Sequence, residues 1–153
     1  MALHISENLL EFIKQHAKST YPYECCGFIY GTDDGENRSV HHVEKASNSR
    51  DGDQRRRFEI SVEEYLHAER QAAHLGYDLI GIYHSHPDHP SEPSEHDRNQ
   101  AVPFFSYVIA SIKNGTPRTT QSWRLQEDRT FSEEAITTEP TEVLAHSTPS
   151  INS

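Results

Sequence analysis

Apolar residues recur at helical spacing early in the chain, where Leu9, Leu10, Phe12, Ile13 and Ala17 follow Ser6, a candidate N-cap, and the pattern stops before Pro22. This predicts a helix over residues 6–18. Cys25 to Gly31 is an apolar run of strand length, and Asp33-Asp34-Gly35 turns the chain toward a second strand near Val40–Ala46, so a hairpin is expected. Asn48 to Arg57 holds no apolar residue and reads as an exposed loop. Phe58 and Ile60 begin a strand that gives way to Ser61-Val62-Glu63-Glu64, a capping-box pattern opening a helix with Leu66, Ala73 and Leu75 that Gly76 closes. Asp78 to His86 is again an apolar run of strand length. A proline-punctuated loop separates it from a second helix start at Ser94-Glu95-His96-Asp97. Phe104–Ile112, Ser122–Gln126 and Phe131–Ile136 are predicted strands divided by Asn114-Gly115 and Glu127-Asp128, the antiparallel half of a sheet. From Thr137 onward the chain is rich in Thr, Ser and Pro and reads as a disordered tail. These elements predict one domain over 1–136, a tail over 137–153, and an α+β (mixed α/β) fold in which helices flank a twisted mixed sheet.

Composition narrows the choice. The 153 residues suit one domain, and a hydrophobic share of 33% implies a lean core beside the typical ~45–50%. With 14 Lys and Arg against 24 Asp and Glu, the net charge of −10 opposes docking on phosphate backbones or anionic lipid, so neither nucleic acid nor membrane is expected as a partner. Residues Met1 to Leu10 have neither a basic nor an apolar signal-peptide region, and no apolar run is long enough to span a bilayer. A cytoplasmic protein is expected. Its two cysteines, Cys25 and Cys26, are adjacent, which suits neither a disulfide framework nor a zinc finger and places one on each face of a strand. Arg50, Arg55, Arg56 and Arg57 form a basic run in an acidic chain, either a solvated face or a carboxylate clamp.

The chemistry concentrates around two of the 11 histidines. His84 and His86, one residue apart on a predicted strand, point to the same face and can share a metal. Pro87 ends that strand, and the helix start at Ser94 lets Asp97, one turn in, reach back over the strand end as a third ligand. Two imidazoles and one carboxylate on a tetrahedral Zn2+ leave the fourth position to water, the pattern of a catalytic rather than a structural site. His89 and His96 are rival ligands. His89 lies in the loop and His96 would face away from Asp97 on a helix, so both are expected at the surface. Ser94 has an ordinary role as an N-cap.

His84-Ser85-His86-Pro87, then six residues, Ser94, two residues and Asp97 together resemble the signature of the JAMM (MPN-plus) zinc metalloproteases. Pro22 to Gly31 resembles the upstream segment of that family, and the likeness continues through Asn48, Phe58 and the Gly81 strand to about Glu134. It is most similar to the small stand-alone bacterial branch, in which Glu-(Cys)-Cys-Gly and His-Ser-His-Pro occur together. The resemblance implies an MPN-type fold, one zinc per chain on His84, His86 and Asp97, Glu24 as general base, and Ser94 as donor to the oxyanion. It implies hydrolysis of a peptide or isopeptide bond next to the C-terminal Gly-Gly of a ubiquitin-like sulfur-carrier protein. Two alternatives stand beside it: a non-catalytic assembly scaffold of the same fold, and a zinc peptidase of phage-tail or cell-wall type. A zinc nucleobase deaminase is excluded because its His-x-Glu and Pro-Cys-x-x-Cys signature is missing.

Overall fold

The computed structural model describes residues 1–48 and 58–138. The Arg50 to Arg57 run and residues 139–153 of the expected tail lie outside the described residues. The chain passes through β1 (Ala2–His4), α1 (Glu7–Thr20), β2 (Cys26–Asp33), β3 (Asn37–Ala46), α2 (Val62–Leu75), β4 (Asp78–Pro87), α3 (Glu95–Gln100), β5 (Ser106–Lys113), β6 (Thr116–Leu125) and β7 (Phe131–Thr137). The strands close into a barrel in the order β1-β3-β2-β4-β5-β6-β7. The expected α+β fold with helices flanking a twisted mixed sheet is therefore incorrect: the sheet closes on itself. What closes it is β1, three residues that pair in parallel with Asn37–Ser39 of β3 on one side and with Ala135–Thr137 of β7 on the other. So short a strand has no readable periodicity, and a pairing across 133 residues leaves no local trace in the sequence.

β4 and β5 are also parallel, and the remaining pairs are antiparallel. β2 and β4 are buried along most of their length, which is why both read as apolar runs rather than alternating ones. One side of β2 sends Ile29 into a cluster with Leu3, Ile13, Ala17, Val43, Val108 and Ile112 beneath α1. Cys26, Phe28 and Tyr30 point the other way, to a cluster with Ala68, Ala72, Ile82, Tyr107 and Leu125 beneath α2. Each fully buried Ile or Leu contributes roughly 1.5–3 kcal/mol. Gly81 lies where β4 meets β5 so closely that a Cβ would fall 2.3 Å from the Ser106 carbonyl oxygen. The lean core also includes charge: buried Arg124 donates to buried Glu134 at 2.6 Å and ties β6 to β7.

The helix ends follow their local chemistry. Ser6 accepts from the Leu9 N–H, Ser61 accepts from the Glu64 N–H, and Gly76 closes α2 in the left-handed conformation at φ 79°. Asn114 and Gly115 both have positive φ, as a tight hairpin turn between β5 and β6 requires. Three expectations shift. β6 begins at Thr116 rather than Ser122, because its first half is polar and largely solvent-facing. Phe104 is not in β5; it adopts φ 71° and is exposed. Phe58 and Ile60 lie in no strand, since the Glu59 N–H donates to Asn48 and the Phe58 carbonyl accepts from the Gln100 side chain, not from a ladder.

Candidate metal centre

β4 delivers His84 and His86 to the same side, with ring centroids 5.1 Å apart. α3 delivers Asp97. Ser94 caps this short helix with a complete capping box: its Oγ accepts the Asp97 N–H at 3.1 Å while Asp97 Oδ2 accepts the Ser94 N–H at 2.9 Å. The box turns the Asp97 carboxylate back over the end of β4. Its Oδ2 then lies 3.0 Å from His86 Nε2 and its Oδ1 lies 3.9 Å from His84 Nε2. One donor atom from each residue falls within 4.8 Å of the others, and this buried trio could hold a metal ion. Tetrahedral zinc with ~2.0–2.1 Å bonds needs donors about 3.3 Å apart, so the observed spacings bracket the requirement.

The donor chemistry fits a cation. His86 Nδ1 lies 2.7 Å from the Pro90 carbonyl, which can only accept, so Nδ1 donates to it and Nε2 is the nitrogen that faces a carboxylate oxygen. Two acceptors 3.0 Å apart repel unless a cation or proton lies between them. His84 is fully buried, and among the described residues neither of its ring nitrogens has a hydrogen-bond partner. Burial, opposed by Asp97 and reinforced by His86, lowers the His84 imidazole to about 4, so it is a neutral lone-pair donor near pH 7. Burial pushes the Asp97 carboxyl upward, but His84, His86 and the Ser94 N–H together hold it below its ordinary value. Phe58, also buried, stacks on His84 with centroids 4.4 Å apart and walls it from solvent.

Glu24 stands at the entrance to β2, only 3% exposed, with Oε1 3.9 Å from His84 Nδ1. It lines a cavity of about 540 Å3 together with His86, Pro90, Ser94 and His96. The structure thus brings Glu24, His86 and Ser94 around one cavity, with His84 and Asp97 completing the buried trio behind it. Of the rival histidines, His89 is exposed and His96 faces the Phe58 carbonyl; neither joins the trio. Cys25 and Cys26 are both buried, one in each core cluster, and burial pushes the Cys25 thiol up to about 11 and raises that of Cys26 as well. Neither is a thiolate near neutral pH.

Residues that sequence reasoning passes over hold the site in place. Trp123 donates its indole N–H to the Ser91 carbonyl at 3.0 Å. Ser91, fully buried, bonds through Oγ to Thr119 and Gln121 of β6, which pins the loop carrying Pro90 against His86. No signal in the sequence points to that network, because its members lie about thirty residues apart. Ser85 and Asn48 reach the backbone beside Glu24. For Ser85 the available clue is its place between two ligands, which turns it to the opposite face.

A buried two-histidine, one-carboxylate trio beside a buried glutamate on a small barrel defines a class of domain, and comparison with known proteins bears on which. Residues 6–126 match the family described as prokaryotic homologs of the JAB domain, and the chain belongs to it. It is 30% identical over 112 residues to a desampylase of Haloferax volcanii, covering 72% of this chain and 78% of that protein. It is also 30% identical over 118 residues to tail tip assembly protein K of Escherichia phage N15, covering 75% of this chain but only 43% of that protein. Among solved structures, a protein from Desulfitobacterium hafniense superposes with a TM-score of 0.80 at 29% identity, covering 94% of this chain and 96% of that one. A protein from Salinibacter ruber gives 0.69 at 38% identity, covering 91% and 93%. Among the described residues, no helix is long and apolar enough to cross a membrane.

Proposed function

We propose that the protein is a cytoplasmic zinc-dependent peptidase that hydrolyses the peptide or isopeptide bond next to the C-terminal Gly-Gly of a ubiquitin-like sulfur-carrier protein. The observation that carries this reading is that buried Glu24, 3.9 Å from His84, stands beside the His84, His86 and Asp97 trio and shares a cavity with His86 and Ser94. His84, His86 and Asp97 hold one ion per chain. Such an ion, when bound, supplies Lewis acidity that polarises a carbonyl and acidifies water. Glu24 takes the proton from the attacking water and returns it to the leaving amine. Ser94 stabilises the developing oxyanion. Its two tasks are compatible, because capping uses a lone pair of Oγ and leaves the hydroxyl proton to donate. Loss of one such donor costs roughly 2.7–4 kcal/mol in kcat.

The likeness to the desampylase spans most of that protein, whereas the likeness to the tail tip protein spans less than half of it, which favours a carrier substrate over a phage-tail or cell-wall one. A scaffold has no use for a fully buried histidine whose two nitrogens find no hydrogen-bond partner among the described residues, an arrangement that costs about 1–3 kcal/mol. The test is to incubate zinc-loaded protein with a ubiquitin-like carrier extended by a short peptide past Gly-Gly and to read the products by mass spectrometry. Cleavage after the second glycine is expected, with replacement of that glycine by valine slowing turnover through kcat, because a Cβ holds the carbonyl away from Glu24 and its water. Equal turnover of Gly-Val and Gly-Gly carriers, or cleavage of unrelated peptides only, would overturn the substrate assignment.

A further inference from the structure

Glu24 lies just outside the β-ladder. The last pair between β2 and β4 is Cys26 with His84, so residue 24 sits beyond the strand pairing that fixes the rest of β2. Two side chains from other parts of the fold reach the backbone there. The peptide unit joining Glu24 to Cys25 is held at both of its polar atoms: its carbonyl accepts Asn48 Nδ2 at 3.3 Å, and its N–H donates to Ser85 Oγ at 2.8 Å. The Ser85 backbone N–H then donates to the next carbonyl, that of Cys25, at 3.2 Å. Ser85 is fully buried and lies between His84 and His86, so the strand that carries both histidines also sets the position of the carboxylate opposite them. Asn48 spends its other side-chain atom on the Glu59 N–H at 3.1 Å, which ties residues 48 and 59 to the same peptide.

We propose that Ser85 and Asn48 are positioning residues for Glu24, which fix its carboxylate relative to the His84 and His86 rings by gripping the peptide that follows it. Their effect on rate rests on the assignment of Glu24 as general base; their effect on structure does not. Both bonds go to the main chain rather than to the Glu24 carboxylate, so the action is transmitted through the backbone. A displacement of about 1 Å at a reacting group can cost 10²-fold in rate, so Ser85→Ala and Asn48→Ala are expected to lower kcat roughly 10- to 100-fold, with KM near the parental value. Neither residue is in the metal trio, and zinc content stays at one per chain.

The experiment uses zinc-loaded full-length chain labelled with 13Cδ-glutamate, in which the Glu24 signal is identified by its absence in Glu24→Gln. Ser85→Ala and Asn48→Ala are expected to move or broaden that signal, while Ser85→Thr, which keeps the acceptor oxygen, restores it. In parallel, hydrolysis of the Gly-Gly carrier extension is measured in the wild-type and Glu24→Gln backgrounds. Ser85→Ala slows the first and leaves the residual rate of the second unchanged, because its effect passes through Glu24. Asn48 is only half-buried, so its variant decides the matter if Ser85→Ala does not fold. An unmoved Glu24 signal in the folded variants, or a loss of zinc in proportion to the loss of rate, would overturn the proposal. If wild-type protein cleaves no carrier, the proposed function fails while the Glu24 signal still decides the positioning role.

Discussion

Replacing Asp97 by Asn separates a metal ligand from a structural carboxylate, because the two roles predict effects of different sign and size. Asp97 is 6% exposed, and its Oδ2 both accepts the Ser94 N–H and faces His86 Nε2. In the metal-free protein the carbonyl oxygen of the introduced amide keeps the cap. Its NH2 group then takes the place of Oδ1, 3.9 Å from His84 Nε2, and can donate toward that nitrogen's lone pair. Against this stands the weakening of a charge-assisted bond to a neutral one, about 1 kcal/mol. The metal-free variant is therefore expected within about 1 kcal/mol of the parent. With zinc present the balance reverses. A ligand bound at free concentration 1,000 times its Kd stabilises the folded state by about 4.1 kcal/mol, and a domain of this size gains roughly 2–4 °C in Tm per kcal/mol. The parent should then melt roughly 8–16 °C higher in zinc than in chelator, and Asp97→Asn should gain little. Thermal unfolding by circular dichroism, with and without chelator, measures both. Equal zinc-induced shifts in parent and variant would refute the assignment of Asp97 as a ligand.

Two further outcomes are expected. Ser91→Ala removes a fully buried hydroxyl with two partners, so stability should fall by about 1–3 kcal/mol and zinc affinity roughly tenfold as the Pro90 carbonyl loosens from His86; chelator competition measures the second, and unchanged affinity would confine the network to stability. Burial, and then Lys45, lowers the His16 imidazole from 6.5 to about 4, so between those pH values the unfolded chain binds the extra proton and stability drops as pH falls, by at most about 3 kcal/mol and by less where solvent screens the ring. His16→Gln should flatten the denaturation midpoint across that window, and parallel curves for parent and variant would count against the assignment.

The candidate site is more legible in the sequence than the fold that holds it. Alternation on a strand places His84 and His86 together, and a capping pattern places Asp97 one turn into a helix; both are short-range rules acting within a few residues. Ser61 and Gly76 mark α2 for the same reason. Glu24 is reached only through resemblance, since nothing local distinguishes it from a solvated carboxylate at a strand start. Barrel closure is not legible at all, because Ala2–His4 carries no periodicity and its partners lie at Asn37 and Ala135. The polar first half of β6 escapes notice because a strand with few buried residues looks like a loop. Hydrophobicity draws Phe104 into β5, although its backbone is in the left-handed region and Arg38 binds its carbonyl.

Closure by β1 also has a kinetic side. The three residues Ala2–His4 must wait for Ala135–Thr137, so a nascent chain cannot seal the barrel until nearly all the described residues have left the ribosome. Until then β1, even once paired with β3, presents an unpaired backbone edge on its other side, and such edges invite pairing with other chains. The many non-local pairings place the fold among those whose rate is set by loop-closure entropy rather than by helix formation. Substitutions at Leu3, fully buried in this late-formed seam, should therefore change the yield of soluble protein during synthesis more than they change the geometry around Glu24 and Asp97.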